Sequence, residues 1–238
     1  MKAVVVVVVA GACVFLAIGC GGPLPARDVG KALFSDARTS SSDFNAVSCS
    51  TCHDDGDGDG QARIFAGHPL TDVVGRSAWW GGQAPRLKDA VDNCLLFFMR
   101  EPAPLDDDDP RGRALYEHLL SISPARSSPA LPLTIVENVS SLARGDPRRG
   151  EQVWTQACQS CHGAPHTGAG RLNELVAIVP EASEEFAVQS GFDVDVVVIE
   201  KVRHGLFFGV GGNMPPFSLE ALSDEDLGAL IAFLLPAG

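Results

Sequence analysis

Two five-residue segments, Cys49-Ser50-Thr51-Cys52-His53 and Cys158-Gln159-Ser160-Cys161-His162, repeat one pattern: two thiols with two residues between them and an imidazole directly after the second. The pattern limits the fold, because three reactive donors must be presented from one short turn. A zinc site would need further Cys or His ligands at regular spacing. A redox-active dithiol would need the pattern inside a strand-helix-strand unit. Two copies in one chain, each inside a matching framework, make chance a poor account of either.

The chemistry that fits is covalent haem attachment, for which C-x-x-C-H is the sequence signature. Two intervening residues let both sulfurs reach the two vinyl groups along one porphyrin edge, and the next residue offers its imidazole to the iron from the proximal side. The expected cofactors are two covalently bound haem c groups, one on Cys49, Cys52 and His53 and one on Cys158, Cys161 and His162.

The framework around the motifs is itself repeated. Upstream, Gly30-Lys31-Ala32-Leu33-Phe34 parallels Gly150-Glu151-Gln152-Val153-Trp154, each reading as a short helix with a glycine and an aromatic residue. Downstream, Arg113-Ala114-Leu115-Tyr116-Glu117-His118-Leu119-Leu120 aligns without a gap with Gly228-Ala229-Leu230-Ile231-Ala232-Phe233-Leu234-Leu235, apolar at helical spacing in both copies. Asp109 before Pro110, and Ser223 with Asp226 three residues on, are start signals for these two helices. The acidic run from Asp106 to Asp109 therefore needs no ligand to explain it.

In this order, a glycine-aromatic helix, C-x-x-C-H, a variable loop region, a distal ligand and an apolar terminal helix, the chain resembles the class I cytochrome c family, present twice. The resemblance implies an all-α fold of two tandem class I cytochrome c-like domains, residues 20–122 and 146–238. Residues 123–145, with Pro124, Pro129, Pro132 and several serines, read as an irregular linker. In the family the first and last helices cross, which implies close approach at Gly30 and Gly150, where a side chain would hold the helices apart. His118, opposite Phe233 in the repeat, is expected to pack rather than ligate.

Gly211-Gly212-Asn213-Met214-Pro215-Pro216-Phe217 resembles the family's methionine loop and implies Met214 as the metal ligand opposite His162. A thioether is a soft neutral donor that favours reduced iron, and the prolines stiffen the loop that carries it. His166, Lys201 and His204 are the other donors in this half.

At the first motif the sixth ligand is open. Asp92-Asn93-Cys94-Leu95-Leu96-Phe97-Phe98-Met99 holds a thiol and a thioether, and either could face His53. Asn-Cys with a methionine five residues after the cysteine, ahead of an apolar terminal helix, resembles the first domain of two-haem thiosulfate dehydrogenases. That resemblance implies Cys94 as the ligand, with Met99 the alternative and His68 a third candidate. Of seven cysteines, Cys94 is the one left over once Cys13 is placed in the leader, Cys20 at a lipid site and four in the motifs. A thiolate would lower the first potential relative to the second, whereas two methionines would make the sites nearly equal.

Residues 52–60 and 80–91 are also similar to segments of di-haem peroxidases and MauG-like proteins, without a peroxidatic constellation to accompany them. Asp55, Asp57, Asp59 and Gly60 imitate the first half of a calcium loop, but position twelve, which should be a bidentate glutamate, is Ala66.

The N-terminus reads as an export leader: Lys2, then an uncharged apolar stretch over residues 3–18, shorter than the roughly 20 residues of a spanning helix. Leu16-Ala17-Ile18-Gly19-Cys20 resembles a bacterial lipobox, with Ala17 departing from the usual leucine. It implies removal of residues 1–19 and lipidation at Cys20, and so a membrane attachment on the periplasmic side.

With 30 acidic against 18 basic residues the net charge is −12, which makes nucleic acid an improbable partner and suits steering of redox proteins with basic docking surfaces. The expected function is a di-haem cytochrome carrying electrons between exported partners, with no catalytic residue assigned. The alternative is a thiosulfate dehydrogenase-like oxidoreductase, which would need basic groups, drawn from Arg63, Arg76, Arg86 and Arg100, to gather around the first haem.

Overall fold

A computed structural model of the chain describes residues 24–56, 62–205 and 213–236. The leader, Cys20, and Asp57, Asp59 and Gly60 of the acidic loop lie outside the described residues. The regular elements among those described are all helical: α1 (Ala26–Phe34), α2 (Cys49–Cys52), α3 (Leu87–Phe97), α4 (Pro110–Ser121), α5 (Pro147–Val153), α6 (Gln159–His162), α7 (Glu181–Ser190), α8 (Val194–His204) and α9 (Asp224–Leu234). None is long and apolar enough to cross a membrane.

Local chemistry sets where these helices begin. Asp109 accepts from the Arg111 N–H with Pro110 next in the chain, and Asp146 accepts from Arg148 N–H with Pro147 in the same place. Ser223 accepts from Asp226 N–H at the start of α9. Each cap satisfies an amide that the first helical turn leaves without a partner.

The repeat seen along the sequence is also a repeat in space. Helix α1 crosses α4, and α5 crosses α9. A β-carbon on Gly30 would overlap the Ala114 carbonyl and come within 2.9 Å of His118 Cβ, while one on Gly150 would overlap the Ala229 carbonyl and come within 2.7 Å of Phe233 Cβ. Ala114 and His118 are the residues that align with Ala229 and Phe233, so the two crossings use the same register. His118 is buried, its ring centroid 5.3 Å from that of Phe34 and its Nε2 3.4 Å from an Asp55 carboxylate oxygen.

The two interiors differ. In the second half Val153, Trp154, Ile199, Leu227, Leu230 and Ile231 belong to one extended buried cluster. In the first half the buried cluster reduces to Leu95, Met99 and Leu105, with Val47, Cys49 and Val91 against it. The apolar side chains one would expect to complete it instead face a large cavity.

Residues 123–145 contain no helix, yet they are bonded to both halves. The Ala125 N–H donates to Asp72 (2.9 Å), and Ser128 exchanges backbone bonds with Gly75 (2.8 Å) and Ser77 (3.1 Å). Further on, the Thr134 hydroxyl and N–H donate to the two carboxylate oxygens of Glu220 (2.6 and 2.9 Å), and the Leu219 N–H donates to the Thr134 carbonyl (3.0 Å).

Candidate haem-binding sites

Each motif begins with its thiols on a one-turn helix, α2 or the segment leading into α6, so that the histidine emerges where the helix ends. What happens to that histidine is the same in both copies. His53 Nδ1 is 2.8 Å from the carbonyl of His68, and His162 Nδ1 is 2.9 Å from the carbonyl of Ala177, in each case fifteen residues further along the chain. A carbonyl has no proton to give, so Nδ1 must be the donor and Nε2 is left with its lone pair. Fixing the tautomer through the far nitrogen is how proteins orient an imidazole toward a metal. Burial lowers the pKa of both rings, which keeps them neutral and available as ligands.

The thiols Cys49, Cys52, Cys158 and Cys161 are free. Burial pushes Cys49 up to about 11 and Cys52 and Cys158 up to about 12, with the thiols of Cys161 and Cys49 adding to the effect at Cys52. Among the described residues no group of three or more His, Cys, Asp or Glu side chains is placed to hold a metal ion by itself. A four-coordinate zinc cage built on either thiol pair is therefore not assembled.

The cavity of the first half encloses about 1320 Å³ of empty space, part of it open to solvent. Cys49, Cys52 and His53 lie on its wall, and so do Cys94, Met99 and His68. Both contested ligands stand at the end of α3, where the Phe98 and Met99 N–H groups donate to the Cys94 carbonyl (3.1 and 3.2 Å). Met99 is almost fully buried in the small cluster with Leu95, and burial drives the Cys94 thiol far above its usual range. His68 belongs to the proximal side, since its carbonyl holds His53. An apolar space with an oriented imidazole and both thiols on its wall fits a porphyrin, whose contacts would complete the first interior.

Several wall residues carry no local sequence signal. Trp79 and Trp80 close the cavity from a tight loop in which Trp79 and Ala84 exchange backbone bonds (3.0 and 3.1 Å), with the Trp80 ring stacked on Phe98 at 6.1 Å. Leu131 and Leu133 come from the linker, and Pro215 and Pro216 from the methionine loop of the other half. Of the four arginines expected as anion-binding candidates, Arg76 alone is part of this wall, and its guanidinium donates to the carbonyls of Pro69 (2.5 Å) and Thr71 (3.2 Å). Arg86 is paired with Asp89 on the surface.

In the second half Met214 packs against the buried cluster that contains Trp154, Cys158 and Phe217. Its backbone lies on the end of α8: a β-carbon on Gly205 would overlap the Met214 carbonyl, and the Phe217 N–H donates to the Val202 carbonyl (2.8 Å). The other donors are engaged elsewhere. His166 Nδ1 is 2.9 Å from Glu181, His204 Nδ1 is 3.1 Å from Glu200, and Lys201 Nζ sits 5.3 Å from the Phe186 ring centroid.

The family match with known proteins falls on this half. Residues 145–234 match the family described as cytochrome C oxidase, cbb3-type, subunit III. Among solved structures, thiosulfate dehydrogenase (TsdBA) from Marichromatium purpuratum, in its as-isolated form, is similar at 15% identity with a TM-score of 0.42, over 88% of this chain and 45% of that one. This chain thus spans about half the length of that structure's chain. No curated protein matches the sequence. Over residues 145–234 the helical framework, the oriented histidine beside its thiol pair and the family match agree on a cytochrome c-type domain.

Proposed function

We propose that the chain is an exported electron relay with two haems, one in each half, accepting electrons from one redox protein and delivering them to another. The observation that carries this reading is the proximity of the two attachment motifs. The Ile64 N–H, from the segment after the first motif, donates to the Gln156 carbonyl just before the second (3.0 Å), and Ile64 and Ala66 pack against the buried cluster that contains Cys158. Haem c, when bound, supplies a one-electron iron couple. The chain's own part is to bury it, to orient His53 and His162, and to offer a second donor on the far side.

Met214 is the donor that the second half holds in place. For the first half we assign Cys94, with Met99 as the alternative. A thiolate on the first iron would lower its potential, giving electrons a downhill direction from the first site to the second. The net charge of −12 favours partners with basic docking surfaces. Export and anchorage through lipidated Cys20 complete the reading, tested by the mass of the mature N-terminus and by release from membranes on Cys20→Ala.

Thiosulfate oxidation at the first haem is the second reading, favoured by Cys94 and Arg76 sharing one cavity. A substrate dianion would need more cation than one arginine already bonded to two carbonyls, and the remaining wall is largely apolar. Low-temperature electron paramagnetic resonance of the holoprotein, with Cys94→Ala and Met99→Leu, reads the ligand directly. Paired with it, a thiosulfate-dependent reduction assay decides the activity: turnover abolished by Cys94→Ala would replace the relay with the enzyme.

A further inference from the structure

The seam between the two motifs contains a cation. Arg63 follows the first motif by ten residues along the chain and folds back on it, its guanidinium donating to the Thr51 carbonyl within that motif (3.3 Å). The same guanidinium lies 4.4 Å from the centroid of the Phe65 ring, which fixes its position. On either side of Phe65, Ile64 and Ala66 pack against the buried cluster of the second half, and the Ile64 N–H is bonded to Gln156. Arg63 is therefore held by one motif while its neighbours are held beside the other. Its guanidinium thus stands at one motif, a single residue along the chain from the backbone bond that ties this segment to the other.

A cation so placed bears on redox chemistry in a definite direction. Reduction adds one electron, and hence one negative charge, to either iron, and a fixed positive charge nearby favours that state over the oxidised one. We propose that Arg63 raises the potentials of both haems together, so that the two sites are tuned by one shared residue rather than each by its own surroundings. This rests on the reading that both motifs carry haem.

The test is an optical redox titration, with soluble mediators, of the mature holoprotein and of Arg63→Gln and Arg63→Lys. Haem content by denatured mass comes first: fewer than two haems in the unsubstituted protein would defeat the two-haem reading itself, separately from the role of Arg63. With two haems present, Arg63→Gln should lower the reduced-to-oxidised ratio at each haem by about tenfold at a fixed mediator potential, or about 59 mV for a one-electron couple. Arg63→Lys, which keeps the charge but not the planar stack on Phe65, should recover most of it. A shift confined to one haem, or equal shifts for Gln and Lys, would overturn the proposal, as would unchanged potentials. Should Arg63→Gln fail to mature, Arg63→Met, which removes the charge but keeps an apolar stem against Phe65, takes its place in the same titration. Potentials lowered at both haems support the shared cation, and a response at one haem or none refutes it.

Discussion

Gly67 lies flat against the imidazole of His53, so close that a β-carbon at position 67 would stand 2.5 Å from Nδ1 and 2.7 Å from Nε2. The glycine is thus the back of the ring, as the His68 carbonyl is its hinge. Gly67→Ala should tilt His53 away from its bonded orientation. We expect reduced haem retention or a shift toward high-spin iron at the first site alone, read by magnetic circular dichroism of the holoprotein, with the second site unchanged.

The helix crossings give a paired prediction. Adding a side chain at Gly30 or Gly150 forces apart helices whose backbones are in contact, and overpacking of this kind costs about 1–3 kcal/mol, or more where backbone must move. Gly30→Val should destabilise the first half and Gly150→Val the second. On the two-haem reading, thermal unfolding followed separately at the absorption of each haem shows which half responds. Equal loss in both halves from either variant would contradict the register described above.

Arg203 is fully buried and donates to the carbonyls of Phe217 (2.9 Å) and Leu222 (2.8 Å), with Asp224 as its charge partner at 2.6 Å. It ties the turn after the methionine loop to α8. Arg203→Met would leave those carbonyls without donors, for about 3–5 kcal/mol of destabilisation in all. Loosening of the turn should also weaken or abolish the near-infrared sulfur-to-iron charge-transfer band expected of Met214. Loss of stability with that band intact would mean that Arg203 braces the core without positioning the loop.

Acid should act on the clasp between linker and second half. Burial works against the Glu220 charge, but the Thr134 hydroxyl and N–H outweigh it and hold the carboxyl at about 2, below its ordinary 4.5. A folded value below the unfolded one means that the contribution is complete above about 4.5 and disappears as the pH falls through about 2. Glu220→Gln should therefore be less stable than the unsubstituted protein near neutrality and equal to it at the acid end. Denaturant unfolding at several pH values measures the difference.

Much of the architecture could be read in the chain because it is locally encoded and written twice. The resemblance implied close approach at Gly30 and Gly150, the structure supplied Ala114 with His118 and Ala229 with Phe233 as the residues they meet, and the capping pairs marked where α4 and α9 start. His53 and His162 were plain as motif residues, while the carbonyls of His68 and Ala177 that orient them lie fifteen residues further on and carry no signal of their own. The first cavity was not. Trp79 and Trp80 reach it through a loop whose shape depends on a left-handed Trp80 backbone, and Leu131, Leu133, Pro215 and Pro216 reach it from distant parts of the chain. No periodicity announces a wall assembled from three separate segments. Arg63 was one of four arginines grouped as candidates for anion binding, and only the docking of Ile64 on the second half reveals that it belongs to the seam.

The sharing of that wall bears on whether either half could stand alone. Leu131 and Leu133 from the connecting segment and Pro215 and Pro216 from the second half line the first cavity, so removing the second half would open that chamber to water. In the other direction Ile64 and Ala66 of the first half pack against the buried cluster of the second. Each half takes part of its shelter from the other, and neither can be cut away without exposing its neighbour's interior.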